Sequence, residues 1–250
     1  MKASCRTVSQ DMRILLTGGG TGGHVYPLIA ISRLLRRQLE SLDIKYFGPK
    51  DIFSFYLIGE DIEVKKITAS KLRRYFSLLN ILEAPLFLWA LAQSLFKIFL
   101  FMPDVAFSKG GPGALPVLFA CYFYHIPIII HESDSVPSLT NKIAARWAKK
   151  IFVGFASAAD HFKKINPKAD ISIVGNPVRD SILKGKKYLN KFFPEIENDN
   201  REIIFIFPGS QGSARINDFI FNNLEFWLSK YRIIHHVGTN NYEQYMKDLN

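Results

Sequence analysis

Cysteine is almost missing from this chain. Among its 250 residues only Cys5 and Cys121 carry a thiol, and neither lies in a metal-ligand or redox spacing. A disulfide framework and a cysteine-ligated metal site are therefore excluded, and the pair reads as free thiols in a reducing compartment. Residues 1–10 have no apolar central run, so no secretory signal is expected. The net charge of +10 comes with no RNA- or DNA-binding signature, and Lys and Arg are spread along the chain. Nucleic acid is thus not an expected partner. An anionic membrane surface or a diphosphate-bearing substrate fits the charge better. No Gly-Lys-Ser/Thr ending occurs in the glycine-rich stretch near the N-terminus, so it is not a Walker loop.

That stretch is the most informative part of what is present. Gly18-Gly19-Gly20-Thr21-Gly22-Gly23-His24 follows the apolar run Ile14-Leu15-Leu16 and precedes Leu28, Ile29, Ile31, Leu34 and Leu35, which fall mainly on one helical face. The glycines therefore occupy a strand-to-helix turn, where a backbone without Cβ atoms approaches a ligand closely and aims N–H groups at an anion. His24, at the mouth of the turn, is able to titrate near neutral pH. A tight turn with a hydrogen-bonded structural histidine is the plainer alternative.

Beyond it, apolar runs alternate with helical patterns. Strands are predicted over Arg13–Thr17, Ile44–Phe47, Val64–Ile67, Pro103–Ser108, Ile126–His131, Ile151–Phe155 and Ile171–Val174, with helices to about Leu39 and over 115–124. Buried strands separated by helices imply a doubly wound parallel sheet. A boundary follows Gly175-Asn176-Pro177-Val178-Arg179. After the polar stretch Lys184–Arg201 the pattern restarts, with a strand over Glu202–Phe207, a second glycine turn at Gly209–Ser213, one helix over Ile216–Leu228 and a strand over Arg232–Val237. Two strands do not bury both faces of such a sheet, so this second unit is expected to be part of a larger domain.

Leu78–Phe101 is apolar enough to raise the question of membrane spanning. Glu83, Pro85, Gln93 and Lys97 interrupt it, and the basic run Lys71-Leu72-Arg73-Arg74 precedes it. The expectation is a helix lying on an anionic membrane rather than crossing it, with an ordinary core helix as the alternative.

Several motifs in order carry a resemblance to the MurG family. They are Gly19–Pro27, Gly110-Gly111 with Pro116, Ile126–Glu132, Leu139-Thr140-Asn141-Lys142, Val174–Arg179 and Gly209–Ser213, spanning about Met12 to Val237. The resemblance implies an α/β GT-B fold of two Rossmann-like doubly wound domains. Residues 11–179 would be the N-terminal acceptor- and membrane-binding domain, and 180–250 a partial, truncated C-terminal UDP-sugar-binding domain. It implies an inverting transfer of N-acetylglucosamine (GlcNAc) from UDP-GlcNAc to the N-acetylmuramic acid 4-hydroxyl of lipid I, without metal or other cofactor, by a protein peripheral to the cytoplasmic face of the cell membrane. Two alternatives stay open: another GT-B transferase acting on a lipid-linked sugar, and a non-catalytic acceptor-binding subunit that needs a partner donor domain.

The resemblance makes His24 the first candidate base and Glu132 the second, with a loop hydrogen-bonding role for Glu132 as its alternative. Thr21, Gly22, Gly23, Asp134, Asn141, Arg179 and Ser210 become candidate substrate contacts. The sequence departs from the family at Glu132-Ser133-Asp134-Ser135, where Glu-Gln-Asn-Gly is usual. An ionised aspartate only accepts hydrogen bonds, whereas asparagine also donates, so Asp134 bears on donor preference. Pro112 and Gly113 likewise replace an aromatic and an aliphatic residue.

Overall fold

The computed structural model describes residues 11–39, 41–68, 79–111, 113–179, 201–209, 211–239 and 241–247, with 182 and 193 singly. Cys5, the basic run 71–74, Pro112 and Ser210 lie outside them. The chain divides into two compact units, Met1–Gly185 and Lys186–Asn250.

The first unit is built on strands β1 (Met12–Thr17), β2 (Leu42–Gly48), β3 (Glu63–Lys66), β4 (Val105–Ser108), β5 (Ile128–Glu132), β6 (Lys150–Val153) and β7 (Asp170–Ile173). They form one sheet in the order β3-β2-β1-β4-β5-β6-β7, and every adjacent pair is parallel. Strand order reverses at β1, which lies between β2 and β4. The crevice outside the carboxyl ends of the strands at such a switch point is where open α/β sheets bind ligands.

Helices cover both faces because β1 is apolar on both. Ile14 and Leu16 join one buried cluster with Val25, Leu28 and Ile29 of α1 (Gly22–Gln38) and Leu57 of α2 (Ser54–Ile58). Leu15 joins the other, with Ala90 and Ile98 of α3 (Leu79–Phe101), Val117, Leu118 and Cys121 of α4 (Ala114–Phe123), Ala144 of α5 (Leu139–Ala144) and Phe162 of α6 (Ala156–Ile165). Each large side chain so buried contributes about 1.5–3 kcal/mol. Burial pushes the Cys121 thiol well above its ordinary range, which leaves it protonated and unreactive.

α3 is long and apolar enough to cross a membrane by length and composition. Its packing is that of a half-buried helix. Ala90, Ser94, Ile98 and Phe101 form a stripe at helical spacing that is almost fully buried, while Leu88, Trp89, Phe96, Phe99 and Leu100 on other faces are each more than 60% exposed.

In the second unit β8 (Glu202–Ile206) and β9 (Tyr231–His235) pair in parallel. The single helix predicted over Ile216–Leu228 is instead two, α7 (Ala214–Phe221) and α8 (Leu224–Lys230). Asn222 and Asn223 separate them. The Asn223 side-chain amide donates to the Phe219 carbonyl at 2.8 Å, competing for a backbone acceptor as asparagine does. A short α9 (Tyr242–Lys247) follows.

Candidate functional site

Parallel register assembles the site. Thr17 is paired with Ser108, and Ser108 with Ile130. The next residues along these strands, Gly18, Lys109 and His131, therefore stand side by side at the carboxyl ends of β1, β4 and β5. The Lys109 amide continues the ladder by donating to Thr17 O at 3.0 Å. A Cβ on Gly18 would lie 3.4 Å from that of Lys109.

The turn out of β1 is held from outside by one carboxylate. Asp51 Oδ2 accepts from Gly20 N at 2.9 Å, and Oδ1 accepts from Phe53 N and Ser54 N at 3.0 Å each. The buried Tyr46 hydroxyl donates to Gly18 O. Thr21 precedes α1 in extended conformation, but its side chain caps no backbone amide, and the first turn of α1 holds no acidic residue. The start of α1, at Gly22 and Gly23, thus carries the positive end of the helix dipole with no side-chain cap and no acidic neighbour in its first turn, an arrangement that favours an anion.

His24 sits over this opening. Its Nδ1 lies 2.9 Å from Thr21 Oγ1. The ring also rests on Gly111, where a Cβ would come within 3.2 Å of both Nδ1 and Cε1. Gly111 has φ +91, so both its conformation and its lack of a side chain make room for the imidazole. Burial lowers the His24 pKa first and the Lys109 ammonium second, while Glu132 and Asp134 oppose them. The imidazole is therefore neutral at physiological pH.

Glu132 is differently placed. It ends β5, is 4% exposed, and its carboxylate is filled by three donors. Asp134 N reaches Oε1 at 3.1 Å, while Ser138 N at 2.9 Å and Asn141 Nδ2 at 3.0 Å reach Oε2. Asn141 is fully buried and also donates to His131 O at 3.2 Å. A Cβ on Gly110 would meet Asn141 Oδ1 at 2.7 Å. The pair Glu132–Asn141 thus ties the loop after β5 to α5. Asp134 is exposed on that loop. Arg179 is half-buried, its guanidinium 4.5 Å from the Tyr26 ring centroid on α1, which brings the segment after β7 back beside the glycine turn.

Two residues that motif reading passed over belong to the same cluster. Lys109 is 3% exposed. Its ammonium lies 2.6 Å from His131 Nδ1 and donates to Ser133 Oγ. His131 Nε2 in turn lies 2.9 Å from Gly175 O. Burial brings the Lys109 pKa down to about 8. Burial and then Lys109 bring His131 down to about 4. The available signal was positional: a lysine directly after an apolar strand and before a glycine pair falls at the ligand-binding end of a parallel sheet.

Comparison with known proteins gives this arrangement its class. Residues 14–153 match the glycosyltransferase family 28 N-terminal domain. The chain belongs to that family, and its fold is the α/β GT-B fold. It is 37% identical over 237 residues to UDP-N-acetylglucosamine--N-acetylmuramyl-(pentapeptide) pyrophosphoryl-undecaprenol N-acetylglucosamine transferase 2 of Bacillus cereus, covering 94% of this chain and 65% of that protein. The transferase of the same name from Clostridium botulinum strain Alaska E43 is 35% identical, with 94% and 64% covered. The chain thus spans about two thirds of the length of these relatives. Among solved structures it resembles Acinetobacter baumannii MurG, with TM-score 0.64, 20% identity and coverage of 94% and 61%. It also resembles the UDP-GlcNAc 2-epimerase of Neisseria meningitidis bound to UDP-GlcNAc, with TM-score 0.64, 14% identity and coverage of 95% and 69%.

Proposed function

We propose that this protein is an inverting glycosyltransferase that moves GlcNAc from UDP-GlcNAc to the N-acetylmuramic acid 4-hydroxyl of lipid I, forming lipid II. The observation that carries the reading is the His24 imidazole, neutral and seated on Gly111 beside the uncapped start of α1, in a family 28 chain whose relatives are named for this transfer.

Base work requires the tautomer in which Nδ1–H donates to Thr21 Oγ1. The Nε2 lone pair then takes the proton of the attacking hydroxyl. The hydroxyl oxygen bonds to the anomeric carbon from one face, and the bond to the UDP phosphate oxygen breaks on the other, so configuration inverts. The departing electron pair stays on the diphosphate, whose charge suits the Gly22 and Gly23 amides and the α1 dipole. Glu132 and Asn141 serve as positioning residues in this scheme, since all three hydrogen bonds to the Glu132 carboxylate come from its own loop and helix. Arg179 is assigned to the donor phosphates and Asp134 to the donor sugar, while Ser210, outside the described residues, stays an expected substrate contact. An acceptor-only carboxylate at Asp134 favours a second reading at one point alone, a donor sugar other than GlcNAc.

The protein acts at the cytoplasmic face of the membrane, held peripherally by α3 and α4. The support is an exposed aromatic surface on helices whose opposite stripe is locked into the sheet core. Phe99 lies 6.4 Å from Tyr124, and Tyr124 lies 5.1 Å from Phe123, ring centre to ring centre. A helix anchored in this way is suited to lie on a bilayer surface.

The direct test is transfer of labelled GlcNAc from UDP-GlcNAc to lipid I by a protein in which this chain is joined to the remaining third of its relatives' length. Transfer to lipid I supports the proposal. Transfer only to a different acceptor, or only from a different nucleotide sugar, overturns it.

A further inference from the structure

Lys109 is a buried cation whose bonded partners are all neutral. Its ammonium contacts an imidazole nitrogen and a serine hydroxyl, and among the described residues no carboxylate lies within 4 Å of it. An ammonium in so enclosed a place is costly unless its field is used. Its surroundings indicate the use. The Lys109 backbone is bonded to Thr17 at the root of the glycine turn, and Gly111, two residues on, carries the His24 ring. The His131 ring that receives the ammonium on Nδ1 donates from Nε2 to Gly175 O, because a lone pair on Nδ1 leaves the ring proton on Nε2. One cation therefore links the loop after β4, the loop after β5 and the segment that leaves β7.

We propose that Lys109 is a positioning residue of the transfer site, whose buried ammonium ties Ser133 and the His131–Gly175 contact to the loop that carries the His24 ring. That this is the transfer site rests on the assignment of His24 as base. The charged groups that face His24 are Lys109 from the β4–α4 turn and Glu132 and Asp134 from the β5–α5 loop. Within its own turn it meets the neutral Thr21 hydroxyl. Lys109 is the cation in this set, so it alone opposes protonation of the ring through charge, while the two carboxylates favour it. Without it, burial alone opposes the two carboxylates, and the imidazole gains a proton more readily. Asp134 thus has a compensating charge built in from a neighbouring strand end.

The test is an NMR titration of the histidine rings in the 250-residue chain, which does not depend on activity. In Lys109→Met the His24 midpoint is expected to rise by about half a pH unit or more. Ser133→Ala, which removes a hydrogen bond and keeps the charge, is expected to leave it where it is, and Lys109→Arg to keep it low. An unchanged His24 midpoint in folded Lys109→Met overturns the proposal. A second measurement needs no variant. In the unaltered chain the His131 ring should carry its proton on Nε2 at neutral pH, and a proton on Nδ1 would contradict the relay even if Lys109→Met does not fold. Retention of transfer activity in His24→Ala would remove the base assignment, yet would leave both NMR results as they stand, so the two failures are told apart.

Discussion

His24 and Glu132 stand at the ends of neighbouring parts of one sheet, and both carry groups able to take a proton. They are treated in opposite ways. The imidazole has one side-chain partner, Thr21, and a bed without a side chain at Gly111. The carboxylate has three donors, all from residues within nine positions of it. A group kept for chemistry needs an unspent lone pair, whereas a group kept for architecture has its acceptors filled. The comparison supports the proposal that proton transfer belongs to the turn after β1 and loop geometry to the end of β5.

The largest expected effect is on turnover. In a protein joining this chain to the remaining third of its relatives' length, His24→Ala should lower kcat of the proposed transfer by about 10²–10⁴-fold while the donor Kd, measured by calorimetry, changes by no more than a few fold. Glu132→Ala should act on stability. It strands Ser138 N and Asp134 N and leaves Asn141 Nδ2 with only its bond to His131 O, and should cost on the order of 2–3 kcal/mol in urea unfolding of this chain. If Glu132→Ala were instead fully stable and inactive, the two roles would have to be exchanged.

Acid sharpens the contrast on the neighbouring strand position. His131 has its folded-state pKa depressed to about 4 against an unfolded value of about 6.5. Between those values the unfolded chain binds the extra proton. The stability this ring contributes is therefore complete above about pH 6.5 and is lost as pH falls through about 4. His131→Gln should show a shallower loss of stability than the unaltered chain over that window, read from urea midpoints at several pH values.

The smallest effect concerns the outer face of the same unit. Trp89→Asp should weaken binding to vesicles containing anionic lipid by several fold, one partly inserted aromatic being worth on the order of 1 kcal/mol at an interface. It should leave the thermal midpoint in place, since Trp89 is 61% exposed.

Much of this was legible in the sequence where one physical signal dominated. The strands announced themselves as apolar runs because a parallel sheet buries both faces of β1, β4 and β5. The glycine turn was legible because its conformations and its closeness to His24 exclude other residues. The break between α7 and α8 was not, since Phe219 and Trp227 keep the apolar pattern running across Asn222 and Asn223, and the side-chain bond from Asn223 to the Phe219 carbonyl leaves no mark in that pattern. The role of Glu132 was left between two readings for a similar reason. Its three donors become neighbours only once the loop folds back onto α5. Lys109 and His131 are 22 positions apart in sequence, and nothing short of the β4–β5 register sets one beside the other.

The central claim is that an imidazole held neutral over the start of α1 removes the proton from the attacking hydroxyl. The most direct test compares the acid limb of kcat/KM for GlcNAc transfer with the NMR titration of the His24 ring in the same free enzyme. The expected result is a single midpoint below the ordinary histidine value of about 6.5, shared by both curves and absent from the rate profile of His24→Ala. A rate profile whose acid limb persists unchanged in that variant, or lies far from the His24 midpoint, would contradict it.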